Sequence, residues 1–599
     1  MAGFLGGKVL RTTYRHAALL ALLIVSVSAF PQSEKPAVRG KSLRFEVSFS
    51  REVSAAPLDG HVLLLISNND REEPRFQIKE EPAESQQMFG VDVDGLAPGA
   101  PAVVDSTTLG YPAESLAQIP PGDYWVQGLL NIYETFHLGN GHTVKLPPDK
   151  GEGQHWQVKP GNLYSKPEKL HLDPNSAQVI RVSLTQKVPP IEEEALAVDS
   201  ILDGPITQKQ SIADTKWVKH VKIQSELLTK FWGRPTSLGA VVLLPEGWDE
   251  HPDARYPLIV LEDHFHRSLP GRLSFRSEPP NPDLKGEEKR RAENAYKLYQ
   301  DWTSGRMPRA IILTIQHPTP YFDDSYAVNS ANQGPYGDAI NHELIPYIEK
   351  KFRAIGEGWA RAVIGGSTGG WEALGSQVLY PDFYNGAWVF CPDVVDFRAY
   401  PTANVYDDAN AYFLHGIFAP VPRPEMRKAD GLVLATMEQA NRYELVMGTH
   451  GRSGEQFDIW QAVFSPAGED GYPKPIYDKR TGDIDHKVAE YWKENYDLSH
   501  TMQRDWKTLG PKLRGKLHFT VGEADTWYLD RAAHLLRDFL ESTTDPYYQG
   551  SFDFGVRQPH CYSGNFDPAV GLMQHYLPEM VKHMEETAPK GADVKSWKY

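Results

Sequence analysis

Ala362-Val363-Ile364-Gly365-Gly366-Ser367-Thr368-Gly369-Gly370 is the stretch on which the fold turns. An apolar run ends in G-x-S-x-G, and the residues behind it (Trp371, Ala373, Leu374, on to about Leu379) read as a helix. Tyr380-Pro381-Asp382 would stop that helix. Strand, tight turn and helix in this order are the setting of a nucleophile elbow. A serine hydroxyl is a weak nucleophile and must be held exposed beside a base. Small flanking residues let the backbone make the turn and let a substrate carbonyl approach. The bland alternative is a structural serine in a glycine turn.

Outward from the elbow, apolar runs alternate with helical stretches, which predicts an α/β domain with a mostly parallel sheet. Eight strands are expected, at 221–225, 240–244, 258–261, 310–315, 362–364, 386–390, 517–521 and 551–554. In an elbow protein the acid and the histidine follow the serine in that chain order. Asp525 lies just beyond the seventh strand and His560 just beyond the eighth. The spacing of 35 positions between them has room for one helix (528–541) and one strand, so both are expected at the edge that carries Ser367. Ser367 would attack an acyl carbon, His560 would take and return the proton, and Asp525 would orient the imidazole. Glu523 and Asp530 compete with Asp525 for the acid, and His575 is the alternative to His560. The backbone N–H of Thr368 is expected in the oxyanion hole, with a second N–H from Phe265 or His266 in the loop after the third strand.

Between the sixth and seventh strands lies a long insertion, about 397–513, read as a cap with helices at 431–442 and 486–496. A structural appendage is the alternative. Residues 41–190 read as a β-sandwich-like module. Leu43, Phe45, Val47 and Phe49 alternate with polar residues, 61–66 and 179–184 are further strands, and Pro120-Pro121-Gly122-Asp123 turns into Tyr124-Trp125-Val126-Gln127. Tyr124 and Trp125 are read as core, with a binding platform as the alternative. An acidic run, Glu192-Glu193-Glu194, opens a linker before the α/β domain at 215–590.

At the N-terminus, Lys8, Arg11 and Arg15 precede the apolar run 17–25 and the small-residue site Val27-Ser28-Ala29. Residues 1–29 therefore read as a secretory signal, with a secreted or periplasmic destination and no stable membrane span after cleavage. An uncleaved membrane anchor is the alternative, for which the run is short. With 599 residues and 41% hydrophobic content the chain can build more than one core. A formal charge of −16 disfavours nucleic acid as a partner. Cys391 and Cys561, the two cysteines, exclude a disulfide scaffold. Both fall on the catalytic side; two unpaired thiols are the favoured reading and a bridge the alternative. Asp263, His264 and His266 form a partial ligand set without a supporting motif, and Asp323-Asp324 reads as a solvated turn more than a calcium site. No metal or cofactor is expected.

Over about 215–585 the chain resembles the putative esterase family, the esterase D or enterochelin-esterase-like branch of the α/β-hydrolases. Gly233-Arg234 ahead of the 240–245 strand, the segment 324–338, the helix 343–349, the elbow with Tyr380-Pro381-Asp382-Phe383-Tyr384, and Asp525 with His560 carry the resemblance. It implies a cofactor-free serine hydrolase acting on small-molecule or glycan-linked esters, including acetyl, feruloyl or siderophore-type esters. A secreted acyltransferase and a non-catalytic binding protein of the same fold are the alternatives. Two features depart from the family: Cys561-Tyr562 directly after the histidine, and the length of the insertion.

Overall fold

The computed structural model describes residues 42–190, 198–200, 204–206, 214–262, 275–566 and 570–599. An eight-stranded sheet organises the larger part. Its strands are β1 (Val218–Ser225), β2 (Thr236–Leu243), β3 (Leu258–Glu262), β4 (Ile311–Gln316), β5 (Arg361–Gly366), β6 (Ala387–Phe390), β7 (Leu517–Gly522) and β8 (Ser551–Gly555). They lie in the order β1-β2-β4-β3-β5-β6-β7-β8. β2 is antiparallel to both of its neighbours, β1 and β4, while β4, β3 and β5 to β8 are mutually parallel. This is the α/β-hydrolase arrangement, and all eight predicted strands are present.

The central strands are buried on both faces, from Leu258 to Glu262 and from Arg361 to Gly365. That is why their sequences are unbroken apolar runs without alternation. Helix Gly286–Thr303 connects β3 to β4, helix Thr368–Leu379 connects β5 to β6, and helix Asp530–Ser542 connects β7 to β8. The connection from β6 to β7 is the long insertion. Its helix Gln456–Phe464 sends Phe457, Trp460 and Phe464 into the same apolar cluster as Val363 and Trp371 of the sheet and elbow helix.

One expectation changes here. The predicted helix at 431–442 begins only at Met437. Val433–Thr436 is instead a strand paired with Pro424–Arg427. Thr436 then caps the helix reciprocally with Gln439, and this capping box sets the start that hydrophobic periodicity blurred.

In the N-terminal part, strand Arg44–Phe49 sits between Val179–Leu184 and Ala102–Val104. A second sheet of seven strands centres on Leu58–Ser67, Gly122–Ile132 and Gln87–Leu96. Phe45, Val47 and Val182 of the first share a core with Val62, Leu64 and Leu130 of the second. Burial alternates along the first sheet's strands, as one-sided covering demands. The insertion reaches this part directly. His61 Nε2 hydrogen-bonds Val446 O at 2.8 Å, and Trp156 Nε1 donates to Met447 Sδ at 3.2 Å. Gly90 permits the approach: a Cβ there would lie 1.9 Å from Val446 O.

Candidate active site

The elbow is strained where the sequence places glycines around a serine. Ser367 has φ 59° and ψ −124°, a conformation that costs a non-glycine residue about 1–3 kcal/mol and persists only when its surroundings impose it. They do. Ser367 N–H donates to Phe390 O at 3.0 Å, and Ser367 O accepts from Asp393 N–H at 3.1 Å, so both sides of the residue are tied to the end of β6. A Cβ on Gly365 would come within 2.1 Å of Gly369 O, and one on Gly370 within 2.6 Å of Phe390 O. A Cβ on Gly366 would meet its nearest atom at 3.6 Å, an ordinary contact. Two of these glycines are therefore required by backbone approach, and Gly366 is not required by space.

The ends of β7 and β8 bring Asp525 and His560 to the serine. His560 Nε2 lies 2.9 Å from Ser367 Oγ, and His560 Nδ1 lies 2.7 Å from Asp525 Oδ2. Asp525 is fully buried, and its Oδ1 accepts the N–H groups of Trp527 at 2.9 Å and Leu529 at 3.2 Å. The Trp527 ring stands edge-on to the imidazole, centroids 4.8 Å apart. Burial presses the His560 pKa down, but Asp525, with help from Cys561, outweighs it and holds the pKa well above the ordinary imidazole value. With its Nδ1–H donated to Asp525, the ring presents Nε2 as a proton acceptor to Ser367 Oγ. The alternatives are engaged elsewhere. Asp530 pairs with Arg427 at 3.0 Å, and the His575 ring stacks on Phe566.

Thr368 is the first residue of helix Thr368–Leu379, where backbone N–H groups point out of the helix without an intrahelical acceptor. Phe265 and His266, and the Asp263/His264 ligand reading, lie outside the described residues. Asp323 and Asp324 do not form a solvated turn: both are 2% exposed. Asp324 Oδ1 accepts the Tyr326 N–H at 3.0 Å, and burial, reinforced by Asp324, raises the Asp323 pKa well above the usual range. Two groups of metal-ligand type occur among the described residues: Cys391, His560 and Cys561, and the fully buried Glu262, His317 and Glu372. Cys391 and Cys561 are not disulfide-bonded.

Several residues at the site carry no motif. Thr368 Oγ1 donates to Asp393 Oδ2 at 2.9 Å, and Tyr326 OH donates to the same oxygen at 2.5 Å. From the insertion, Trp460 Nε1 donates to Tyr326 OH at 2.7 Å, and Gln456 Nε2 donates to Tyr326 OH at 2.5 Å and to Asp393 Oδ2 at 3.2 Å. Burial and the neighbouring Asp393 push the Tyr326 pKa far up, so its hydroxyl remains a donor. Arg427, also from the insertion, clasps the acid loop. Its Nε donates to Asp525 O at 2.8 Å, its backbone N–H donates to Thr526 O at 2.8 Å, and its guanidinium lies 4.1 Å above the Tyr528 ring. The paired buried polar groups and Tyr326's positive φ (59°) mark this network as imposed by tertiary contacts. The only sequence signal was the 324–338 segment, which carries the family resemblance. A cavity of 350 Å³ is lined by Gly365, Gly366, Phe390, Cys391, Cys561 and Arg291 among others.

Against known proteins, the family model described as Putative esterase matches residues 235–500, a span that includes Ser367 and ends before Asp525 and His560. No curated protein matches the chain. Among solved structures, a ferulic acid esterase is 15% identical, covering 61% of this chain and 99% of its own, with a TM-score of 0.33. An S-formylglutathione hydrolase from Agrobacterium tumefaciens is 11% identical, covering 62% and 97%, with a TM-score of 0.32. FphF, a fluorophosphonate-binding serine hydrolase of Staphylococcus aureus, is 13% identical, covering 61% and 98%, with a TM-score of 0.29. The matched segment, which holds the elbow, is that of the Putative esterase family.

Proposed function

We propose that this chain is an exported serine ester hydrolase working through an acyl-Ser367 intermediate. One observation carries the reading: the continuous line from Ser367 Oγ through His560 to the buried Asp525, with separations of 2.9 and 2.7 Å. In the first step Ser367 Oγ attacks the ester carbonyl while His560 Nε2 takes its proton, and the imidazolium then protonates the departing alkoxide. In the second, water loses a proton to His560 as it attacks the acyl carbon, and Ser367 leaves protonated. Thr368 N–H and an N–H of Phe265 or His266 stabilise the oxyanion. The substrates are carboxylic esters, with acylated glycans or siderophore-type esters as the favoured class. Residues 1–29 serve as the export signal, 41–190 as a β-sandwich-like module and 397–513 as the cap within a 215–590 hydrolase domain.

The test is release of p-nitrophenol from acetate and butyrate esters by the mature chain, beside Ser367→Ala. The wild type should turn over, and the variant should lose about 10⁴-fold or more in kcat. Equal rates would remove Ser367 as nucleophile. Repeating the assay with an added sugar alcohol separates hydrolysis, which gives free acid, from acyl transfer, which gives a new ester.

A further inference from the structure

The departure from the family pattern at Cys561 has a structural counterpart. Cys391 follows β6, and Cys561 follows His560 after β8, 170 residues away. The chain brings them together: the ligand atoms of Cys391, Cys561 and His560 all lie within 4.8 Å of one another. Both cysteines have positive φ, 34° at Cys391 and 64° at Cys561, so the backbone is held where a non-glycine residue seldom sits. Cys391 is 1% exposed, but both cysteines line the 350 Å³ cavity, which supplies a way in for a small ion.

We propose that Cys391, Cys561 and His560 form a binding site for a thiophilic divalent cation of the zinc class, whose occupancy silences the catalytic line. Zinc takes thiolate sulfur at about 2.3 Å and imidazole nitrogen at about 2.0–2.1 Å in a tetrahedron, which sets ligand atoms roughly 3.4–3.8 Å apart. Closing from within 4.8 Å to that spacing takes about 1 Å of side-chain adjustment. Two sulfurs and one imidazole select a soft metal over calcium or magnesium. The two thiols give up their protons to solvent as the metal binds, and the fourth position is left to water. His560 Nε2 faces Ser367 and Nδ1 faces Asp525, so either nitrogen that the metal takes is one the line requires. The inhibitory half rests on the reading of His560 as the base; the binding half does not.

The experiment uses the full mature chain, free of any affinity tag, reduced with a phosphine and stripped with a chelator. Equilibrium dialysis against zinc chloride should show one zinc per chain, with p-nitrophenyl acetate hydrolysis falling in parallel and returning on addition of EDTA. Cobalt in place of zinc should give a thiolate-to-metal charge-transfer band. Cys391→Ser and Cys561→Ser should each need about 10-fold or more zinc for half-occupancy and lose the cobalt band. In the wild type, zinc should protect Cys561 from iodoacetamide, a readout that needs no variant to fold. Equal zinc affinity in the cysteine variants, or absence of a cobalt band from the reduced wild type, would overturn the site. Zinc bound at these cysteines with hydrolysis unchanged would overturn the inhibitory role. A chain that binds zinc there but never hydrolyses esters would instead mark failure of the esterase reading.

Discussion

Two aspartates flank the elbow, one in the loop after β7 and one in the loop after β6, and both are buried: Asp525 at 0% and Asp393 at 3% exposure. Asp525 faces an imidazole and two backbone N–H groups. Asp393 faces neutral donors: Tyr326, Thr368 and Gln456. Burial raises the Asp393 pKa; these hydrogen bonds and the nearby His560 offset only part of the rise. The same side chain at similar depth thus has different uses. Asp525 can stabilise a proton arriving on His560. Asp393 ties Thr368, the residue after Ser367, to the insertion through Tyr326. A buried carboxylate's role follows from its partners rather than from its depth.

The largest expected effect comes from breaking the charged half. Asp525→Asn should lower kcat about 10⁴-fold, because the amide no longer fixes the imidazole tautomer. It should also shift the pH profile. Only neutral His560 can accept the serine proton, so kcat/KM should rise with pH through an apparent pKa above 6.5, the ordinary histidine value. Asp525 favours the imidazolium, so its loss should move that limb to lower pH. A limb unmoved in Asp525→Asn would break the comparison.

Asp393→Asn tests the neutral half and should act through Thr368. Its kcat should fall about 10- to 100-fold, on the scale of losing one oxyanion donor or less. The pH limb should stay closer to that of the wild type than the limb of Asp525→Asn does. Arg427→Met removes the guanidinium bonds to Asp525 O and Asp530. A fall of about 10-fold in kcat with little change in KM is expected, with partial rescue in Arg427→Lys; steady-state kinetics on all three proteins decides this. The smallest catalytic effect is expected of Tyr326→Phe, which leaves Trp460, Gln456 and Asp393 each short of a partner. Its cost should appear as about 1–3 kcal/mol of stability in denaturant unfolding. Undiminished stability would mean that the network relaxes around the missing hydroxyl.

Much of this architecture was readable along the chain. The strands of the central sheet announce themselves as apolar runs because both faces are covered, and those of the N-terminal three-stranded sheet as alternation because one face is. Chain order placed Asp525 and His560 at the edge that carries Ser367, since parallel strands return their ends to one edge, and the three side chains do lie within hydrogen-bond distance of one another in a line. The helix at Met437 was misplaced because a capping box, a contact between Thr436 and Gln439 side chains and backbone, sets its start. Asp323-Asp324 misled for a related reason: adjacent carboxylates look solvated until the surrounding chain is known to cover them.

By itself, then, the sequence determined the elbow, the sheet and the shared edge of Ser367, Asp525 and His560, because each depends on neighbours in the chain: glycines that let backbones approach at 365 and 370, and apolar runs of strand length. Only the tertiary structure decided that Tyr326, Asp393, Gln456 and Trp460 would meet beside Thr368, that Arg427 would reach back to Asp525, and that Cys391 would meet the adjacent pair His560-Cys561. These partners lie tens to more than a hundred residues apart. Their meeting is set by which surfaces exclude water together, and no local pattern of residue types encodes that.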